Sequence, residues 1–450
     1  MLKLISVKKI LGGDLVKVSF LNAIAVFIKM IAAFVSMKAI AILSKDFPGG
    51  GPAAIALVGQ LNNFTTILLS VCNGGITTGM TRYVAEYSKS PKKNQLFLGT
   101  GFWITTVLSG VTGLVLIFGA GYWSHMILKS TEFKLVFYVF GATIVMYAYN
   151  TLLIAVINGF KEYKKYVIAN IMGSVVGLIF TIILSYQFGV YGALIALVTY
   201  QSVVFVLTLP LVRKSNWFHV GNFTKKFSKL AVKRLSHYSL MAIVTAAVMP
   251  VAQLVIRNYI IKHSTVTGIG ANLNQAGLWE GINRISNMYL MVFATSLGVY
   301  YLPRLTELRT QRELRQEVFS VGKLVIPFLI IFSLALYFGR YIIIHVLFTE
   351  QFDGMQNLFA FQLLGDTIKL SSWILAYVMT AKSMTKTFII MELVSSISQV
   401  VFTLFFFEKY GTLGATIGYA LAHTLYLVCM IFIFRKMLFL KPASEKLKTN

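Results

Sequence analysis

The sequence predicts an all-α polytopic membrane protein of twelve transmembrane helices, arranged as two parallel six-helix bundles. Three observations predict it. Apolar runs of spanning length recur along the whole chain, cations alternate between successive connections, and the second half repeats the first at a fixed offset. Of 450 residues, 57% are hydrophobic and 12% charged, with a mean hydropathy of +0.75. About a quarter of an ordinary soluble chain is charged. A helix needs about 20 mainly apolar residues to cross the hydrocarbon core, and lipid satisfies no exposed backbone group.

The spans fall at about 18–43, 53–80, 96–124, 134–158, 166–187, 191–212, 235–260, 275–302, 321–347, 356–380, 386–407 and 411–434. The segment before the first has no apolar h-region or small-residue cleavage site, so no cleaved signal is expected. Thirty of the 41 Lys and Arg residues lie in the connections on one side of this arrangement, including Lys3, Lys8 and Lys9, the run from Arg213 to Arg234, and the tail from Arg435 to Lys448. Five, namely Lys45, Lys129, Lys134, Lys262 and Lys409, lie on the other. The excess marks the first side, with both termini, as cytoplasmic. A net charge of +26 distributed in this way orients the chain in a membrane and argues against a nucleic-acid partner.

The repeat fixes the domain organisation. Gly189, Gly192, Ala193, Ile195, Arg213 and Lys214 recur 222 residues later as Gly411, Gly414, Ala415, Ile417, Arg435 and Lys436. Shifts of 221 or 222 also match Asn62 with Asn283, Arg82 with Arg304, Glu86 with Glu307 and Lys164 with Lys386. The bundles are therefore 1–214 and 235–436, joined by 215–234 and followed by a basic tail, 437–450. Even span numbers give both halves one orientation, the plan of parallel-repeat transporters. In the linker, Phe223, Phe227 and Leu230 share one face of a helix whose other positions hold Lys225, Lys226, Lys229 and Lys233, the pattern of an interfacial amphipathic helix. A simple tether and a lipid-recruiting role are both compatible with it.

Six cations remain inside spans: Lys29, Lys38, Arg257, Arg284, Arg340 and Lys369. Lys29, Arg284 and Lys369 sit near mid-membrane, and Arg284 lies about 15 Å deep at 1.5 Å per residue. Lys38, Arg257 and Arg340 lie toward the outer ends, where long side chains can snorkel to the interface. A mid-membrane cation must face protein, water or an anion. Glu280, Arg284 and Asn287 share one side of their helix with Asn283 alongside. Asp366 precedes Lys369 by three residues and reads either as an internal partner or as an ion-coupling or gating group, as does Glu392. Lys29 and Lys38, nine residues apart, point in opposite directions on a straight helix, so Lys29 is the first choice for a cavity. Pro250 predicts a kink in span seven, static or moving. Gly173 with Gly177 and Gly414 with Gly418 read as helix-packing pairs. The interior balance is positive, which describes an anion site.

Catalytic signals are missing. No Walker-type phosphate loop, nucleophile elbow or zinc-protease motif is found, and the six histidines lack metal-ligand spacing. Cys72 and Cys429 both lie in apolar segments. No enzyme activity, metal or organic cofactor is expected.

Several segments carry a family resemblance: TRYVAEY at 81–87, GLWEGINRIS from 277 with YL at 289–290, SLGVYYLPRLTEL at 296–308, FAFQLLGDTIK at 359–369 and the Ala381–Lys382…Glu392 pattern. With Lys29 and Lys38, they make the chain resemble the polysaccharide-export branch of the multidrug/oligosaccharidyl-lipid/polysaccharide superfamily, most closely the enterobacterial lipid III and O-antigen flippases. The resemblance implies a V-shaped twelve-helix fold with a cationic cavity and a lateral gate between spans one and eight. It further implies alternating access driven by an ion gradient or membrane potential. The cargo would be an undecaprenyl-diphosphate-linked oligosaccharide, carried across the bacterial inner membrane. The chain lacks the two extra helices of lipid II flippases. Membrane lipids, a glycan polymerase and chain-length proteins are the implied partners.

On this reading Arg284, Lys29 and Lys369 meet the diphosphate, and Lys38, Arg257 and Arg340 hand it onward. Asn62, Asn283, Asn287 and Glu280 are the candidates for sugar contacts. An ion-coupled multidrug exporter on the same scaffold is the alternative, although cationic drugs call for an acidic interior. A non-transporting scaffold for glycan polymerisation would leave the buried cations unexplained.

Overall fold

The computed structural model describes residues 14–224, 226–264 and 269–439, which are nearly all helical, with no strand among them. Lys3, Lys8, Lys9, Lys225 and the tail beyond residue 439 lie outside the described residues. Seven helices among those described are long and apolar enough to cross a membrane, and the chain is a multi-pass membrane protein.

Two of the seven are far longer than a bilayer needs. Tyr163–Arg213 has 51 residues and Thr385–Ile433 has 49, against about 20 for one crossing. Each is interrupted by one glycine in a conformation closed to other residues, Gly189 (φ 56°, ψ −133°) and Gly411 (φ 59°, ψ −141°). The chain doubles back there. A Cβ on Gly192 would stand 1.8 Å from the Leu184 carbonyl oxygen, and one on Gly414 would stand 1.9 Å from that of Phe406. Both reversals are members of the 222-residue repeat.

Contacts group the chain into two compact units. The first holds the chain to Ser44 and Leu57–Val251. Its helices are α1 (Asp14–Leu43), most of α2 (Gly50–Cys72), α3 (Thr77–Glu86), α4 (Pro91–Phe118), α5 (Ala120–Leu128), α6 (Lys134–Gly159), α7 (Tyr163–Arg213), α8 (Val220–Thr224) and the start of α9 (Lys229–His263). Its core packs Met80, Val84, Phe97, Leu98, Leu152 and Val156 against Ala231 and Leu235.

The linker departs from the expected amphipathic helix. α8 ends at Thr224, residues 226–228 are not helical, and α9 starts at Lys229. Phe223 turns toward Phe102 and Trp217, while Phe227 and Leu230 are 55% and 60% exposed. The cause is docking onto α4. Trp103 Nε1 donates to the Thr224 carbonyl at 3.2 Å, and the Ser228 amide donates to Thr100 Oγ1 at 3.1 Å. Gly99 admits the strap, since a Cβ there would meet the Lys226 carbonyl oxygen at 1.9 Å. Ser215 pins its start, receiving a hydrogen bond from Lys165 Nζ (2.5 Å) and donating to Glu162 Oε2 (2.9 Å).

The second unit holds Lys45–Ala56 and the chain from Ala252. It comprises the rest of α2 and α9, then α10 (Ile269–Ser296), a π-helical turn (Leu297–Tyr301), α11 (Leu302–Glu307), α12 (Gln311–Phe338), α13 (Arg340–Leu347), a 3₁₀ segment (Glu350–Leu358), α14 (Phe359–Ala381), α15 (Thr385–Ile433) and α16 (Arg435–Phe439). Its core packs Tyr301, Leu305, Leu314, Met379, Met391 and Met430.

These groupings differ from the repeat-based boundaries at both joints. Residues 45–56 belong to the second unit, where Gly277 lies so close that a Cβ would be 1.9 Å from the Pro52 carbonyl oxygen. The Gly51 amide also donates to Gln351 Oε1 at 2.8 Å. The linker belongs to the first unit, through Val251, one residue past Pro250. Helices α9, α10 and α14 are not among the seven apolar spans. They carry Arg257, Glu280 with Arg284, and Asp366 with Lys369, respectively.

Candidate functional site

In α10, i,i+4 spacing brings Arg284 back onto Glu280, and Arg284 Nε donates to Glu280 Oε1 at 2.8 Å. The second carboxylate oxygen is occupied by Arg257 of α9, whose Nη2 donates to Glu280 Oε2. The two arginines differ in access. Arg257 is 1% exposed and lies over the Trp279 ring, whereas the Arg284 side chain is 22% exposed. One buried carboxylate thus serves two guanidinium groups and leaves a surplus positive charge at the more open one. Both oxygens of Glu280, a candidate for sugar contacts, face arginines, and Arg257, expected at an interface, is held inside.

Asn283 is buried and donates through Nδ2 to the Trp279 carbonyl at 2.7 Å. Asn287 is exposed. Arg340 is fixed where α12 gives way to α13, with Nη1 donating to the Tyr337 carbonyl at 2.7 Å and the guanidinium over the Tyr337 ring.

A second polar cluster surrounds Asp366. Its Oδ2 accepts from Ser286 Oγ at 2.6 Å and from Tyr289 Oη, and its Oδ1 accepts from Tyr419 Oη at 2.6 Å. Lys369 does not reach Asp366 directly. Its Nζ donates to Tyr419 Oη at 3.4 Å and lies over the Trp373 and Tyr419 rings, so the phenol relays between acid and amine. Glu392, partly buried on α15, is near enough for its charge to act on Lys369.

Sequence reasoning missed Ser286, Tyr289, Gln362, Tyr419 and His423. The available signal was spacing: Gln362, Asp366 and Lys369 on α14, and Tyr419, His423 and Tyr426 on α15, each recur at i, i+4, i+7 and so share a face. In the first unit, Lys29 is exposed and Lys38 partly buried on α1, and Asn62 is exposed on α2.

A family model described as "Polysaccharide biosynthesis protein" matches residues 58–357. The chain belongs to the polysaccharide biosynthesis protein family. Among curated relatives, the lipid III flippase of Escherichia coli K12 is 26% identical over 93% of this chain and 98% of its own length. The lipid III flippase of Shigella flexneri matches to the same extent. Among solved structures, an inward-facing multidrug resistance transporter of the MATE family and MOP superfamily aligns with a TM-score of 0.74 at 14% identity, covering 92% of this chain and 97% of its own. An outward-facing MATE structure aligns with a TM-score of 0.65 over 94% and 96%. These neighbours establish a shared fold. Within this member of the polysaccharide biosynthesis family, Arg257, Glu280 with Arg284, and Asp366 with Lys369 lie on α9, α10 and α14, and Arg340 and Glu392 on α13 and α15.

Proposed function

We propose that this protein is a flippase that carries an undecaprenyl-diphosphate-linked oligosaccharide from the cytoplasmic to the periplasmic leaflet of the bacterial inner membrane. A lipid III unit of enterobacterial common antigen or an O-antigen unit is the class of cargo. Supporting it are the family, the lipid III flippase relatives and the basic balance of the membrane-embedded charges. The observation that carries the reading is the sharing of Glu280 between Arg257 and Arg284, which leaves a cation in excess at membrane depth. A fully paired set would attract no anion. A surplus guanidinium can engage a phosphate through two parallel hydrogen bonds.

The proposal places twelve spans in two six-helix bundles with both termini cytoplasmic, and alternating access driven by an ion gradient or the membrane potential, without chemistry on the cargo. It assigns Arg284, Lys29 and Lys369 to the diphosphate. Lys38, Arg257 and Arg340 receive it in turn. Asn62, Asn283 and Asn287 serve the sugar side, Glu280 holds Arg257 and Arg284 in place, and Asp366 and Glu392 serve coupling or gating. A glycan polymerase and chain-length proteins are the proposed partners downstream. The likeness to multidrug transporters is one of fold at 14% identity, and a basic interior has the wrong sign for cationic drugs.

The test is Arg284→Ala in a strain whose own copy is deleted. Surface glycan is expected to fall to the deletion level with the protein still in the membrane. Full export by that variant would remove Arg284 from the mechanism, and lost drug resistance with intact glycan in the deletion strain would favour an exporter.

A further inference from the structure

His423, on the second half of α15, is 2% exposed, and neither ring nitrogen has a hydrogen-bond partner. Buried polar groups are nearly always partnered, and an imidazole left with two orphan nitrogens in a protein interior is costly. The ring stands edge-on to Tyr419, one turn earlier, at 4.5 Å between centroids. Tyr419 is the phenol that joins Asp366 to Lys369.

The first half of α15 holds further unsatisfied polar atoms. Gln399 Oε1 and Thr403 Oγ1 are buried without partners on the first half of α15. The reversal at Gly411 brings Thr403 against Gly418, where a Cβ would stand 2.5 Å from the Thr403 Cα. One turn further along each antiparallel half lie Gln399 and the Ala422–His423 pair. Orphan polar atoms on two halves packed this closely are groups that buried water bridges. Lys369 from α14 acts on the ring by its charge and Tyr419 on its own helix touches it; behind these two stand Asp366, with Tyr289 bonded to it, and Glu392 from the first half of α15, which also acts on Tyr426.

Lys369 and His423 therefore both contact one phenol, which is hydrogen-bonded to one carboxylate. Two cations at that phenol would repel each other in a poorly screened interior. We propose that His423 is a proton-binding site that alternates with Lys369. When Lys369 leaves Tyr419 for the cargo's diphosphate, the imidazole takes up one proton from bulk solvent, and it releases that proton to solvent when Lys369 comes back. This deepens the flippase reading and rests on its assignment of Lys369 to the diphosphate. Linkage gives the sign: removing a neighbouring cation favours the protonated ring, so the anion binds more tightly as pH falls.

The experiment uses the full chain in lipid nanodiscs with undecaprenyl diphosphate as probe. Affinity is measured from pH 8 to pH 6, together with proton uptake on binding in weak buffer. Wild type is expected to gain about tenfold in affinity over that range, the effect of a one-unit shift at one site, once the loss of charge on the probe as it protonates is corrected for with undecaprenyl diphosphate titrated alone. His423→Gln should bind as wild type at pH 8 but lose that gain and the matching proton uptake. Tyr419→Phe, which keeps the ring and removes the link, should lose both as well. Wild-type proton uptake in either variant that binds the probe would overturn the inference and leave the flippase reading standing. A wild-type protein that binds undecaprenyl diphosphate no better than undecaprenol would overturn both.

Discussion

Gly189 and Gly411 hold the same non-helical backbone conformation 222 residues apart, with φ of 56° and 59° and ψ of −133° and −141°. Neither has another group within 4 Å of the place its Cβ would occupy, so a substitution there is penalised through the backbone alone. Gly189→Ala and Gly411→Ala should each cost about 1–3 kcal/mol, and by similar amounts. Gly110, mid-helix in α4 with equally open surroundings, is the control, and Gly110→Ala should be neutral or mildly stabilising. Thermal unfolding in detergent compares the three. A harmless Gly411→Ala would show that the reversal tolerates a side chain.

Glu280→Gln removes the carboxylate shared by Arg257 and Arg284, and with it the counter-charge bonded to a guanidinium that is 1% exposed. Breaking a buried pair from one side costs about 3–5 kcal/mol. Arg284→Gln should be milder, because Arg257 keeps its partner and Arg284 is the more accessible side chain. The expected pattern is poor folded yield for Glu280→Gln and normal yield with lost export for Arg284→Gln, read by fluorescence-detected gel filtration and glycan labelling. Equal stability of the two variants would contradict the shared-carboxylate geometry.

The start of α12 carries a pH signature. The Thr310 and Arg309 amides donate to the Glu313 carboxylate at 3.1 Å, and these bonds hold its pKa below the usual glutamate range. A lowered folded-state pKa contributes stability that is fully present above the ordinary value of 4.5 and is lost as pH falls through the folded value. Amide exchange at 310–314 should therefore quicken on acidification below about pH 4.5 relative to the rest of α12. Glu313→Gln should flatten that dependence. An unchanged exchange profile in the variant would rule the capping box out as its source.

Gly99→Ala places a methyl 1.9 Å from the Lys226 carbonyl oxygen, closer than any adjustment of a side chain can absorb. The strap must lift from α4, breaking the bond between the Ser228 amide and Thr100. Limited trypsin digestion should then cut at Lys226 and Lys229 many times faster than in wild type, while Gly110→Ala leaves the rate unchanged. Equal rates would mean that the strap is held elsewhere, as by the Lys165–Ser215–Glu162 junction.

The multi-pass helical character and the repeat were legible because they rest on long-range periodicity, and family membership because short segments such as GLWEGINRIS carry it. The partner of Arg284 on its own helix was legible from i,i+4 spacing, since α10 is regular there. Arg257 was not, because its bond to Glu280 depends on how α9 packs on α10, 23 residues apart. The Asp366 cluster stayed hidden for the same reason: a tyrosine in an apolar helix looks like core until a second helix brings it a carboxylate. The linker misled through ambiguity, as an alternating aromatic and basic pattern suits a lipid surface and a protein groove equally. Gly99 and Thr100 hold the strap against α4 through Lys226 and Ser228, and the break at 226–228 leaves Phe227 and Leu230 exposed.

Residues 45–56 pack with the second unit although the chain on both sides of them packs with the first. A gene split anywhere in the linker would therefore yield two fragments, the earlier of which carries twelve residues of its counterpart's fold. The later fragment in turn carries first-unit residues as far as Val251, and deleting residues 45–56 alone from the amino-terminal fragment should weaken reassembly in trans.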